Sequence, residues 1–184
     1  TGAATLSSGA VSLNSNGFAI LFSSTLAGGS QNLTIAAGTA AGTTTFTGVV
    51  SGMGTGTGAA ITLLSTGLVD FQNTVGGASG IVSIDGTGST KFQGDVTLTN
   101  GDTGSSFNGT VNFDGMNWSG FDGLTVTSAA TLTSGAVSLN SNAGAILFSN
   151  TLNGGNQDLT IAAGTAAGTT TFTSALTNMG DGTG

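Results

Sequence analysis

Leu33 to Thr47 reads LTIAAGTAAGTTTFT, and the same fifteen residues recur without a change at Leu159 to Thr173. A shift of 126 positions aligns residues 1–58 with residues 127–184, and 44 of these 58 positions are identical without a gap. Identity at a long fixed period is typical of a repeat array, in which each unit buries its apolar face against its neighbours. We therefore divide the chain into one full unit, residues 1–126, and the start of a second, residues 127–184. We expect it to be a window on a longer array.

The composition favours strands and turns. Of 184 residues, 38% are hydrophobic and 5% charged, which is too apolar for a disordered chain. There is no Pro, Cys, His or Tyr and only one Lys or Arg, against 34 Gly. Charged helix formers are scarce, while the β-branched residues and Phe that favour strands are frequent. Glycine-rich stretches between apolar segments predict sharp turns.

A looser rhythm lies within the unit, because a Phe is repeatedly followed four residues later by Val or Leu. Successive Phe residues along one unit are 24, 25, 21, 15, 14 and 27 positions apart. We interpret this as about six coils per unit, with an average of about 21 residues per coil. The pairs are Phe22/Leu26, Phe46/Val50, Phe71/Val75, Phe92/Val96, Phe107/Val111, Phe148/Leu152 and Phe172/Leu176.

Triplets such as Leu33-Thr34-Ile35 alternate apolar and polar residues, as expected of strands with one wet face. Short strands that coil every 14 to 27 residues predict an all-β fold, a parallel β-solenoid. Coils stacked about 4.8 Å apart would make a unit roughly 29 Å long. The inward Phe residues should stack as one ladder along the axis, with Ile, Val and Leu filling the other walls. The predicted residues of this structural core are Phe22, Phe46, Phe71, Phe92, Phe107, Phe148, Phe172, Leu33, Ile35, Ile61, Leu63, Val82 and Ile84.

The charge and the residue types exclude several functions. A net charge of −7 argues against binding to nucleic acid, which requires clustered Lys and Arg. No run of about 18 apolar residues is present, so we expect no membrane insertion. Most general acids, bases, nucleophiles and metal ligands are missing. We therefore predict that the chain is not an enzyme and has no cofactor. A remote alternative is a glycan-active β-helix with two Asp in one groove.

Three weaker signals have an ordinary explanation. Asp-Gly pairs offer oxygen ligands for calcium, but Asp in such pairs more often forms a turn. Threonine-rich stretches suggest ice binding, but coils of unequal length should break the register that an ice face needs. Asn32, Asn108 and Asn117 begin sequons, and Trp118 could stack on a sugar if exposed, although core filling is the more common role of a single Trp. The Asp-Gly pairs are at Asp85, Asp114, Asp122 and Asp181.

The stretches LTIAAGT, TTTFTGVVSG and AILFSSTLAGGSQNLTI resemble the β-strand repeat regions of giant bacterial surface proteins, the filamentous haemagglutinin-like and autotransporter adhesins. The resemblance implies a right-handed parallel β-helix that acts as a secreted stalk or fibre on the cell surface, and it carries over no active residue. We therefore expect an extracellular structural segment that gives length and stiffness and that associates with itself, head to tail or laterally. The alternative is an adhesin module that binds carbohydrate or a host surface.

Overall fold

A computed structural model describes residues 2–36, 42–54, 59–64, 67–76, 83–99, 104–120, 123–141, 144–162 and 168–180. These residues form 23 short strands and no helix. The strands pair in parallel and stack in about 7 coils, about 22 residues apart. The prediction of an all-β parallel solenoid is therefore confirmed. Its handedness remains a prediction.

Each coil contributes one strand to each of three walls, which we name A, B and C. Wall A contains β1 (Ala4–Thr5), β4 (Leu26–Ala27), β7 (Val50–Ser51), a single bridging residue Val75, β12 (Val96–Thr97), β15 (Asn117–Ser119), β18 (Val137–Asn140) and β21 (Leu159–Ala162). Wall B contains β2 (Val11–Leu13), β5 (Leu33–Ile35), β8 (Ile61–Leu63), β10 (Ile84–Gly86), β13 (Ser105–Phe107), β16 (Leu124–Val126), β19 (Ile146–Phe148) and β22 (Thr170–Phe172). Wall C contains β3 (Ile20–Phe22), β6 (Thr44–Phe46), β9 (Val69–Phe71), β11 (Thr90–Phe92), β14 (Val111–Asp114), β17 (Ala130–Thr133), β20 (Leu152–Gln157) and β23 (Leu176–Met179).

Unequal coil lengths leave most neighbouring strands in register, and the exception is a shift between Asn153 and Gln157 where β20 pairs with β23. Phe22, Phe46, Phe71 and Phe92 are consecutive partners in wall C, although 24, 25 and 21 residues separate them. The surplus residues lie between the strands, because each strand keeps only two to six residues. The expectation that unequal coils break register is therefore wrong.

The aromatic ladder is split between two walls instead of following one. In wall C the rings of Phe46 and Phe71 stack with centroids 4.7 Å apart and planes 5° apart. Phe107, placed by the sequence in the same ladder, lies instead in wall B. Phe113 occupies the wall C position after Phe92. In this respect the predicted single ladder is wrong, because the step from Phe92 to Phe107 crosses two walls and a full coil crosses three.

Most of the predicted ladder residues are buried in one continuous apolar core. Phe22 and Phe172 are only partly buried because they lie in terminal coils, which have a neighbour on one side. Val82 lies outside the described residues. The buried members are Phe46, Phe71, Phe92, Phe107, Phe148, Leu33, Ile35, Ile61, Leu63 and Ile84.

The corner that follows β4 recurs after the first residues of β20. Gly29 and Gly155, equivalent in the two units, both have φ of +54°. Ser30 and Asn156, the next residues, both have φ of +62°. Such angles favour glycine and tolerate Asn, and the corner keeps the same backbone angles although Ser30 stands where the second unit has Asn156.

Candidate lateral surface

A cluster of charged and amide side chains lies on the outer face of wall C. We call it the Lys91 patch and define it as Asp70, Gln72, Lys91, Gln93 and Asp114. Alternation along β9, β11 and β14 turns these side chains outward, while Phe71, Phe92 and Phe113 point into the core. Parallel register brings them together, because Asp70 and Lys91 are direct partners on neighbouring strands.

Within the patch, the charged groups contact one another. Lys91 Nζ lies 2.8 Å from Asp114 Oδ2, in the only ion pair of the described residues. Gln93 Nε2 donates to Asp70 Oδ1 at 2.7 Å, and Gln72 Nε2 donates to Asp70 Oδ2 at 2.9 Å. Asp70 and Asp114 are therefore engaged by neighbouring side chains in two separate sets of contacts, each of which joins two neighbouring coils.

The surroundings of Asp114, including the ammonium group of Lys91, shift the pKa of its carboxyl group. Burial disfavours its ionised form, but hydrogen bonding and the positive charge of Lys91, together with the hydroxyls of Ser134 and Thr133, outweigh this effect. As a result the pKa of Asp114 lies below its usual value of 3.8. The carboxylate is therefore ionised at neutral pH, which is unsuitable for a general acid.

Beside the patch, wall C has a shallow depression of about 400 Å³. Its side chains carry hydroxyl and amide groups together with the Lys91 ammonium, and two of them, Leu68 and Val111, are aliphatic. The polar groups can hydrogen-bond a polar ligand. Its lining is Leu68, Ser89, Thr90, Lys91, Thr110, Val111, Asn112 and Thr131.

The predicted Asp-Gly turns differ in the structure. Asp85 lies within β10, so the first of them is not a turn. Its neighbour Gly86 points inward, where an added Cβ would be 2.9 Å from the ring of Phe107. Asp114 ends β14 and is followed by Gly115 with φ of +55°, which is a turn. Asp122 and Asp181 lie outside the described residues, and the described ones contain no group of three acidic, His or Cys side chains placed to hold a metal.

Asp85 is in an unfavourable position for a charge. Burial raises its pKa above 3.8, and the hydrogen bond from the Ser106 backbone N–H, 3.0 Å from Oδ1, opposes this effect. It interrupts an outward row of hydroxyls on wall B that includes Thr34, Thr62 and Thr125. A strand of this wall has one outward position, so the row is one residue wide.

Trp118 is 2% exposed and fills the core. Its ring meets Phe92 edge-on at 5.3 Å and Phe107 at 6.1 Å. It is therefore unable to stack on a sugar from solvent. Asn108 and Asn117, which begin two of the sequons, are exposed, and Asn117 hydrogen-bonds Asp95 through its backbone N–H at 2.8 Å.

Among the described residues, no helix has the length and hydropathy needed to span a bilayer. Comparison of the chain with protein-family models, with curated proteins and with solved structures found no match. Its function must therefore be argued from the solenoid and its surface.

Proposed function

We propose that this chain is a segment of an extracellular structural fibre or stalk, whose role is to provide length and stiffness. The observation that carries the proposal is the unbroken pairing of walls B and C, each through eight strands, with wall A bridged through Val75. Parallel in-register pairing satisfies backbone groups from coil to coil, and a solenoid grows by adding coils without a new core.

The surface chemistry supports the same proposal. The Lys91 patch is internally hydrogen-bonded, and the other outward strand residues are mostly Ser, Thr and Asn. Such a face is wet and has no large charge to repel the next coil. We infer that the chain has neither a catalytic role nor a bound cofactor.

The terminal coils support association with further coils. In the described part of the chain, β3 and β23 each pair on one side only, and Phe18 and Leu21 in the first coil are 73% and 64% exposed. Open strand edges are templates for pairing. We propose that further coils cover them, supplied by the same polypeptide or by another copy of it.

Electron microscopy of the full-length native material tests the proposal. A layer line near 4.8 Å along the axis of a continuous rod is expected, because that is the spacing between strands. Separate globules without this line would refute it.

The carbohydrate-binding alternative now depends on the Lys91 patch and its depression, because Trp118 is buried. A glycan-array signal lost in Lys91→Met and retained in Phe18→Ala, an exposed position outside the Lys91 patch, would favour an adhesin module that binds through the patch. A signal unchanged in Lys91→Met would put glycan binding outside the patch, and the absence of any signal from the wild-type chain would favour the inert stalk.

A further inference from the structure

Identical sequences occupy different walls in the two units. Leu33-Thr34-Ile35 forms β5 in wall B, whereas its exact repeat Leu159-Thr160-Ile161 lies in β21 of wall A. The strand Thr44–Phe46 is in wall C, and its repeat Thr170–Phe172 is in wall B. The same shift applies to every described strand of residues 1–58 that recurs, so each moves back by one wall.

The shift follows from the number of strands in one unit. From Val11 in β2, five full coils lead to β16 in the same wall. The chain then adds β17 in wall C before it reaches Val137, the equivalent of Val11, in β18 of wall A. The unit therefore holds seventeen wall positions, or five and two-thirds coils, where the Phe spacings predicted six.

The difference of one third of a coil between the observed and the predicted number arises between Phe92 and Phe107. Phe92 and Val96 flank the corner from wall C to wall A, as do the three earlier Phe pairs. Phe107 and Val111 flank the corner from wall B to wall C, as do Phe148 and Leu152. The corner that a Phe and the Val or Leu four residues later flank is thus the one between walls C and A up to Phe92, and the one between walls B and C at Phe107. Phe92 and Phe107 are 15 residues apart, which is two-thirds of a coil.

Trp118 fills the core at this transition. In the coils that precede Trp118 the aromatic rings stack in wall C, and in the coils that follow it the rings of Phe148 and Phe172 stack in wall B with centroids 5.4 Å apart. The indole contacts the last rings of one ladder, Phe92 and Phe113, and the first ring of the other, Phe107. All these contacts are edge-on, with planes 83° to 87° apart, so the Trp118 ring joins two stacks that do not share an axis.

We infer that each 126-residue unit shifts the unit that follows it by one wall, which is one third of a turn around the solenoid axis. Successive units of the array proposed above therefore present each outward feature on walls C, B and A in turn. The pattern would recur after three units, or seventeen coils, about 82 Å at the usual strand spacing. A feature that occurs once per unit, such as the Lys91 patch, is then presented on all three sides. A partner or a neighbouring fibre meets the same surface from any direction.

Engineered disulfides in the chain itself test the wall assignment, since no native Cys competes. Lys91 and Asn112 are direct outward partners in wall C. If each unit held six coils, Phe107 would follow Phe92 in wall C, and Ser106 would lie over Lys91 instead. Neighbouring strands place Cα atoms about 4.8 Å apart, within the range that a disulfide bridges.

We expect Lys91→Cys/Asn112→Cys to cross-link on mild oxidation and Lys91→Cys/Ser106→Cys not to do so. Thr34→Cys/Thr62→Cys, partners within one unit, is the positive control, and circular dichroism establishes that each variant folds. Cross-linking of the second pair, or of the control alone, would overturn the inference. The readout comes from a single chain, so it is independent of whether the array acts as a fibre.

Discussion

Phe71→Ala tests whether the aromatic ladder stabilises the solenoid. Phe71 is fully buried, and its ring is stacked between Phe46 at 4.7 Å and Phe92 at 5.2 Å. Removal of a buried Phe side chain costs about 3–5 kcal/mol in the free energy of unfolding. Two stacking contacts are lost as well, each worth about 0.5–1.5 kcal/mol. Rings held by paired strands on both sides relax little into the cavity, so we expect a loss in the upper part of that range, about 4–5 kcal/mol.

The loss should be local, because each coil contacts mainly the coils beside it. Hydrogen exchange measured by mass spectrometry should show faster opening of β6, β9 and β11, with β19 unchanged. Urea unfolding gives the overall loss of stability, and Phe18→Ala, at a position 73% exposed, is the matched control. A loss below about 1 kcal/mol, far under the usual cost of a buried Phe, would contradict the ladder.

Three further changes have defined outcomes. Thr90 is 2% exposed and its Oγ1 has no described hydrogen-bond partner, so Thr90→Val should raise the unfolding free energy by about 1 kcal/mol or more in urea titrations; a decrease would contradict the packing. Asp85→Asn should raise the thermal midpoint at pH 7, because it removes a charge that burial disfavours. Since the pKa of Asp85 is raised, that gain should disappear as the pH falls and the folded wild type takes up a proton; a gain equal at all pH values would be inconsistent with this. Lys91→Met should lower stability at pH 7 by less than about 1 kcal/mol, because the two side chains of the ion pair, 29% and 11% exposed, lie at the surface, where solvent screens the attraction. Because the pKa of Asp114 is lowered, the difference should vanish as the pH falls below 3.8 through that pKa, and a pH-independent loss would point to packing instead.

Much of the fold was accessible from the sequence because strand patterns are local. Alternation in Leu33-Thr34-Ile35 identified the inward residues, and long-period identity identified the stacking. The sequence does not predict which wall each strand joins, because the Phe-x-x-x-Val pattern is the same at Phe92 and at Phe107. The pattern indicates only that a short corner follows the Phe. Which two walls that corner connects depends on how many strands precede it.

The candidate surface was harder to predict. Asp70 and Lys91 are 21 residues apart and meet only because β9 and β11 are in register. Asp85-Gly86 has the composition of a turn, yet the inward ring of Phe107 needs the space beside Gly86, so the pair is held within a strand. Both outcomes come from contacts between coils, which a local pattern does not contain.

The spacing of about 22 residues between stacked strands has a consequence for how such a chain folds. Every strand finds its partner one coil away, so the entropy lost in closing each loop is about the same all along the chain. Folding can begin at any coil and advance by one coil at a time. A polypeptide that emerges gradually from a narrow pore can therefore fold as it emerges, and the stabilisation gained from each new coil opposes its return.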